Sequence, residues 1–294
     1  MNDRLFLTMQ HLLPRRALTR LVGWLADVRQ PWVAQPFIRW FIRRYRVQMA
    51  EAQQPDPASY ACFNDFFTRA LRPDARPQAD SALISPVDGT VSQLGAVRAG
   101  RLLQAKGRDY TVEALLADRQ RAAAYNDGLF ATLYLSPRDY HRIHMPCDGV
   151  LTRMTHVPGD LFSVNQVTAA GIDQLFACNE RVVCWFEGPH GPFVLVLVGA
   201  TIVGSIATRW HGVVTPPRTG ELRHWDYAHG PNPAVSLRKG QEMGRFLLGS
   251  TVIVLLPPGS GLALNPRWQP GTAIRQGQVM AELACAALSP PAGG

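Results

Sequence analysis

The sequence predicts an α+β protein, with N-terminal amphipathic helices followed by a mainly antiparallel β-sandwich or barrel core. Three observations lead there. Residues 1–50 interleave arginines with large apolar groups at roughly helical spacing. Beyond Pro73, short apolar runs alternate with Gly, Pro and Asp turns, the pattern of antiparallel strands. Within that β-rich part, two pairs of short segments echo one another. The 294 residues suffice for a substantial core in one or two domains.

The N-terminal apolar residues fall in three groups: Leu5, Phe6, Met9, Leu12 and Leu13; Leu18, Leu21, Val22, Trp24 and Leu25; Phe37, Ile38, Trp40, Phe41, Ile42 and Tyr45. Pro14, Pro31 and Pro36 divide them into two or three short helices. This segment carries nine arginines against Asp3 and Asp27, a net +7 of the chain's +8, so the basic character belongs to it and not to the fold as a whole. Trp, Phe and Leu on one face with Arg on the other suit an anionic bilayer interface. The competing reading is a helical hairpin packed on the core with its arginines in water. No recognised nucleic-acid-binding motif is visible. The run Leu5 to Met9 is too short for a secretory signal, and no stretch reaches the roughly 18 apolar residues of a spanning helix.

Residues 59–72 read as a helix with Phe63, Phe66 and Phe67 on one side. Strands are predicted at Val91–Leu94, Ala131–Leu135, Val182–Phe186, Phe193–Val198, Thr201–Ile206 and Val252–Leu256, with an inserted helix over Tyr110–Leu116. Pro86-Val87-Asp88-Gly89-Thr90-Val91 echoes Pro146-Cys147-Asp148-Gly149-Val150-Leu151, each an Asp-Gly turn entering a strand. Leu237 to Gly244 echoes Ile274 to Ala281 in the same way. Paired hairpins of this kind suggest a core built from similar halves, like the biotinyl/lipoyl carrier folds. The expected organisation is a helical region over 1–72, a β-rich domain over 73–288 and a disordered tail over 289–294. Cys62, Cys147, Cys178, Cys184 and Cys285 are odd in number and form no CxxC, which argues for reduced thiols in a cytosolic setting.

Two places concentrate chemistry. Gly249-Ser250-Thr251 heads the strand Val252–Leu256, and with a base nearby Ser250 Oγ can attack the unshielded Gly249 carbonyl and break the chain. Taken alone, the same tripeptide is a common turn into a strand. Tyr140-His141-Arg142-Ile143-His144-Met145-Pro146 sets two histidines three apart, which share a face on a turn but lie on opposite faces of a strand. A metal pair there would need a third ligand, and no nearby spacing supplies one; a turn cap and a satisfied core histidine are the bland alternatives. Asp88 and Asp148 both suit turn chemistry, and either could orient a histidine. Lysine is confined to Lys106 and Lys239, which leaves few candidates for an imine-forming lysine. A carbonyl made from Ser250, through an ester, β-elimination and hydrolysis to a pyruvoyl group, would accept a substrate amine as a Schiff base.

These segments together resemble a known family. Pro86 to Gly89, Leu133 to Pro146, Val157 to Asn165, Val198 to Ile206, and Lys239 to Phe246 ahead of Leu248-Gly249-Ser250-Thr251 are similar, in order, to the motifs of bacterial phosphatidylserine decarboxylases. The resemblance runs to about residue 260. It implies a self-cleavage triad of Asp88, His144 and Ser250, with Ser250 becoming a covalent pyruvoyl cofactor. It also implies a β chain of 1–249 associated with an α chain of 250–294, and His141 placed for the decarboxylation step. It further implies phosphatidylserine as substrate, phosphatidylethanolamine and CO₂ as products, and a peripheral site on the cytoplasmic side of the inner membrane. The alternatives are a non-enzymatic peripheral membrane-binding protein with a carrier-like β domain, and a zinc hydrolase using His141 and His144.

Overall fold

The computed structural model describes residues 3–201, 205–230, 232–247 and 251–284. Three helices open the chain: α1 (Asp3–Leu12), α2 (Arg15–Ala26) and α3 (Pro31–Tyr45). Pro31 at the first position of α3 has no amide hydrogen to leave unsatisfied, which suits a helix start. None of the described helices is long and apolar enough to cross a membrane. Ala26, Ala34, Ile38 and Phe41 face inward, where they meet Phe63, Phe66 and Phe67 of the short helix α4 (Phe63–Phe67). Phe41 stands 4.9, 6.0 and 5.9 Å, centroid to centroid, from those three rings, each tilted edge to face. Such pairs add about 0.5–1.5 kcal/mol each beyond the area they bury.

The predicted helix over 59–72 is thus shorter than the phenylalanine spacing suggests. A 3-10 turn at Pro57–Ser59 precedes it, and α4 stops at Phe67, where Thr68 turns its hydroxyl back onto the Asn64 carbonyl. The inserted helix is also displaced: Tyr110 and Thr111 end the strand Arg108–Thr111, and Thr111 caps the helix Val112–Leu116 by accepting from the Ala114 amide.

The β-rich part holds three sheets and a hairpin, and their strand ladders are antiparallel. The largest sheet has nine strands, ordered Arg223–Asp226, Gly149–Val157, Arg181–Gly188, Gly191–Val198, Thr251–Leu256, Leu129–Tyr134, Gly89–Ala96 and Ala273–Ile274, with Val235–Leu237 also paired to Gly149–Val157. Its central strands are apolar throughout because both faces are covered. Val182, Cys184, Leu195, Leu197, Val252 and Val254 enter one core; the intervening Val183, Trp185, Val194, Val196, Ile253 and Leu255 enter another. The first core lies against the smaller sheets, one of Gly212–Thr215, Ile206–Thr208, Glu242–Phe246 and Arg142–His144, the other of Leu83–Ile84, Val279–Leu283 and Leu262–Leu264. Helices Val112–Leu116, Gln166–Gly171 and Leu175–Cys178 cover the second. The stack is therefore layered; among the described residues no sheet closes into a barrel. Of the predicted strand Thr201–Ile206, only Ile206 is in a strand, and 202–204 lie outside the described residues.

The sequence echoes meet as matching turns. Gly240 donates its amide to Met145 and the Gln241 carbonyl accepts from Met145; Gly277 donates to Ser85 and the Gln278 carbonyl accepts from Ser85. The Arg238 amide binds the Gln241 side chain at 3.0 Å, and the Arg275 amide binds that of Gln278 at 3.0 Å. The carboxylates correspond too: Asp148 accepts from the Lys239 amide at 2.7 Å and Asp88 from the Gln276 amide at 2.8 Å. Each Asp-Gly segment thus binds the other element's turn and does not close a hairpin of its own.

Both turns need glycine. Gly277 has φ +90°, and a Cβ there would sit 2.5 Å from the Pro77 carbonyl oxygen. Gly277→Ala is expected to cost about 2 kcal/mol or more, read as a fall in the thermal midpoint; an unchanged midpoint would contradict this account of the turn.

Candidate active site

Gly249 and Ser250 lie outside the described residues, so the site is built from what surrounds their place in the chain. The described chain ends at Leu247 and resumes at Thr251, the first residue of a central strand. Thr251 pairs with Val198 on one side and Tyr134 on the other, and Tyr134 pairs in turn with Thr90. The turn carrying Asp88 therefore enters the sheet two strands from Thr251, a spacing of about 10 Å. Gly89 makes this approach feasible, since a Cβ would lie 2.2 Å from the Tyr134 carbonyl oxygen.

Asp88 and Asp148, indistinguishable by spacing, are separated by burial. Asp148 is exposed, whereas Asp88 is buried and takes a bidentate hydrogen bond from Arg76, with Nε 2.9 Å from Oδ1. Arg76 also reaches Glu51 at 2.7 Å. Burial alone would lower the Arg76 pKa, but the hydrogen bonds and charges of Asp88 and Glu51 outweigh it and push it up.

His144 lies on the strand Arg142–His144 beside that turn; its amide donates to the Pro86 carbonyl at 2.9 Å. Its Nδ1 faces the Gly240 carbonyl at 2.8 Å, which places the ring proton on Nδ1 and leaves the Nε2 lone pair to accept from the Tyr140 hydroxyl at 3.0 Å. Burial lowers its pKa, against the raising effects of the Gly240 hydrogen bond and the charges of Glu242 and Asp88. Asp88 is near enough to act through its charge, yet its carboxylate is engaged by Arg76 and Gln276, so the two side chains of the expected triad meet electrostatically and not by a direct hydrogen bond.

His141 sits just before the same strand and is fully buried, its ring 4.0 Å from that of Phe67. Nδ1 donates to the Asp139 carbonyl at 2.8 Å. Nε2 then carries a lone pair and has no hydrogen-bond partner among the described residues. The His141 carbonyl accepts from the Phe246 amide, three residues before Gly249. Thr251 Oγ1, immediately after Ser250, is likewise buried and unpartnered. Unsatisfied buried polar atoms cost about 1–3 kcal/mol each. The two histidines thus part company: one offers a free acceptor in a dry pocket, the other is held between a carbonyl and a tyrosine. No three His, Cys, Asp or Glu side chains among the described residues gather as metal ligands. Arg76, Tyr140 and Phe67 carry no role in the sequence reading. Tyr140 stands within the histidine motif, whereas Arg76 has no local signal.

The sequence model of the family described as phosphatidylserine decarboxylase matches residues 63–282, and a second, described as PSD, matches residues 5–46. A protein of Methylibium petroleiphilum named phosphatidylserine decarboxylase proenzyme is 60% identical over 282 residues, covering 96% of this chain and 98% of its own. Proteins of the same name from Chromobacterium violaceum and Polaromonas naphthalenivorans are 60% identical over 283 residues (96% and 100% covered) and 59% identical over 285 (97% and 98%).

Burial lowers the His141 pKa to about 3 from an ordinary 6.5, despite the raising effect of the Asp139 carbonyl. Between those values the unfolded chain binds the proton and the folded chain does not. Stability therefore rises with pH through that window, is fully present above 6.5, and is lost as pH falls below it. From pH 7 to pH 5, His141 alone is expected to remove about 2 kcal/mol. Urea unfolding at pH 5, 6 and 7 should show a shallower pH dependence in His141→Gln; equal slopes in the two proteins would refute the burial argument.

Proposed function

The chain belongs to the phosphatidylserine decarboxylase family, and on that premise we propose that Ser250 cleaves the peptide bond behind it and becomes the covalent pyruvoyl group on which catalysis depends. The protein is a decarboxylase that converts phosphatidylserine to phosphatidylethanolamine and CO₂. The observation that carries the residue assignment is the unpartnered, fully buried His141 Nε2, joined through its carbonyl to the strand that leads into Gly249-Ser250. Thr251 Oγ1, the first described side chain after Ser250, is a second buried polar atom with no partner among the described residues.

In self-cleavage, Ser250 Oγ attacks the Gly249 carbonyl and His144 Nε2 takes the hydroxyl proton. The Gly240 carbonyl fixes the tautomer this needs, the Asp88 charge favours the imidazolium that results, and Tyr140 must first release Nε2. The Gly249–Ser250 C–N bond breaks as the proton passes to the departing nitrogen, leaving an ester. β-Elimination then releases the Gly249 carboxylate and frees a β chain, 1–249, from an α chain, 250–294. The dehydroalanine of the α chain takes up water and loses ammonia to become the pyruvoyl group, and the two chains stay associated. A pyruvoyl group supplies an electrophilic ketone for the substrate amine and a sink for the electrons left when CO₂ departs. His141, kept neutral by burial before substrate binds, accepts a proton at Nε2 from the substrate ammonium once the incoming carboxylate favours the imidazolium, and returns it to the α-carbon. General acid–base assistance of this kind contributes roughly 10²–10⁴-fold.

The N-terminal helices support a peripheral membrane role on the cytoplasmic face of the inner membrane. Leu12, Trp24, Trp32 and Trp40 are 78%, 66%, 78% and 52% exposed on the helices of the segment that holds the nine arginines. Each arginine near an anionic surface adds about 1 kcal/mol. We assign residues 1–72 to that contact and 73–288 to catalysis. The matched turns support the carrier-like, duplicated reading of the β domain. The reading of the chain as a non-enzymatic membrane-binding protein is not favoured, since the relatives are named as proenzymes of a decarboxylase.

Intact-mass measurement of the purified protein should find two chains split between Gly249 and Ser250, the smaller with a blocked, ketone-reactive N-terminus. Ser250→Ala should remain one inactive chain. An uncleaved chain with a free serine that still decarboxylates lipid would rule the reading out. Replacing Trp24 and Trp32 with serine should weaken binding to phosphatidylserine-containing vesicles roughly tenfold, with binding falling as salt rises; salt-insensitive binding unchanged by the substitutions would contradict the membrane assignment.

A further inference from the structure

A cavity of about 400 Å³ opens beside Asp88, between the end of α3 and the turn at Arg275. Its charge does not balance. Five arginines line it (Arg46, Arg69, Arg76, Arg138 and Arg275) against three carboxylates (Glu51, Asp88 and Asp139), a surplus of two positive charges. The pairings account for three of the five: Arg76 binds Asp88 and Glu51, Arg275 reaches Glu51 at 3.1 Å, and Arg138 lies 3.9 Å from Asp139. Arg46 and Arg69 have no carboxylate partner among the described residues.

Arg69 is the informative one. It is only 4% exposed, its Nε has no hydrogen-bond partner, and its one hydrogen bond is a long one, 3.4 Å from Nη2 to the Arg138 carbonyl. The Phe66 ring 5.5 Å away adds a weak cation–π contact. A buried guanidinium is ordinarily paired, because desolvating it without an anion costs several kcal/mol. Arg46 adds a second sign of selection. It caps α3 with φ +54°, in the left-handed region where glycine or asparagine sits more easily, yet the position carries a cation facing this cavity.

We propose that this cavity is an oxyanion subsite in which Arg69, with Arg46, holds the phosphodiester of the phospholipid headgroup during decarboxylation. The assignment rests on the function proposed above. Guanidinium groups present paired donors that match phosphate oxygens. The headgroup carries two anions, and the chemistry separates them. The carboxylate must leave as neutral CO₂, so an arginine gripping it would stabilise the ground state and oppose its loss. The phosphodiester keeps its charge throughout and can be held without that penalty. The cavity wall at Thr90 shares a row of the sheet with Tyr134 and Thr251, so the subsite lies two strands, about 10 Å, from the residue that follows Ser250.

The kinetic test uses the processed full-length enzyme with Arg69→Gln, Arg69→Lys and Arg46→Gln. Arg69→Gln is expected to raise KM for phosphatidylserine in mixed micelles about tenfold to a hundredfold, with kcat within about threefold and Arg69→Lys intermediate. Inorganic phosphate and glycerophosphoethanolamine should inhibit the parent enzyme competitively and lose that effect together in Arg69→Gln. Decarboxylation of a phosphate-free serine ester should be unaffected. An unchanged KM for the lipid overturns the proposal. So does loss of phosphate inhibition without a change in KM, which marks a free-phosphate site, and so does an equal KM rise for the phosphate-free ester, which marks a carboxylate contact. If Arg69→Gln does not fold, the exposed Arg46→Gln is read in its place, with a smaller KM rise expected and no rise counting against. Phosphate binding followed by calorimetry in the uncleavable Ser250→Ala chain, with and without Arg69→Gln, separates this proposal from the function it rests on. Binding lost with Arg69 supports the subsite even if the parent protein proves unable to decarboxylate lipid, and binding retained without Arg69 overturns it.

Discussion

The buried ion pair between Arg76 and Asp88 holds four distant segments in one place. Arg76 comes from the linker after the helical region, Asp88 from the first Asp-Gly turn, Glu51 from the end of the N-terminal helices, and Gln276 and Arg275 from the second matched turn. Both partners are 9% exposed. Breaking such a pair by removing one side typically costs about 3–5 kcal/mol, because the other charge is left buried. The geometry of His144 depends on the same arrangement, since its amide is bonded to Pro86, two residues before Asp88, and its ring to Gly240 in the companion turn. The N-terminal helices and the turns of the β-rich part are thus joined through one carboxylate.

The central sheet supplies the second constraint. Its strands are covered on both faces, so their register cannot slip without moving every side chain to the opposite core. That rigidity places Thr251 at a defined end of a defined strand, with Val198 and Tyr134 beside it. The dry surroundings of His141 follow from the same packing: Phe67 of the helical region closes over its ring, and the resulting loss of solvent keeps the imidazole neutral and its free nitrogen available.

Legibility differed with the range of the interactions involved. The central strands could be read almost to their ends, because continuous apolar runs between turn residues are a local signal of strands buried on both faces. The helix over 59–72 is shorter than its pattern suggests: three phenylalanines at helical spacing mark a face, but the Thr68 hydroxyl ends the element by turning back onto the Asn64 carbonyl. Tyr110 was placed in a helix although Thr111 is the cap, a distinction that one hydroxyl settles. The equivalence of Asp88 and Asp148 was visible as an echo, whereas their difference was not, since it depends on an arginine twelve residues from the first and on burial of one carboxylate alone. Arg69 had no signal at all, being one of 28 arginines in the chain until its neighbours are known.

By itself the sequence determined the order of helices and strands, the concentration of charge at the N-terminus, and the residues able to do chemistry at Gly249-Ser250 and around His141 and His144. These are properties of neighbouring residues, and they survive without a fold. Only the tertiary structure decided which aspartate is buried, which histidine is left with an empty acceptor, and which arginine is desolvated without a partner. Those distinctions arise from removing charged and polar groups from water beside segments far away in the chain, and no local pattern of residues encodes how that desolvation is shared.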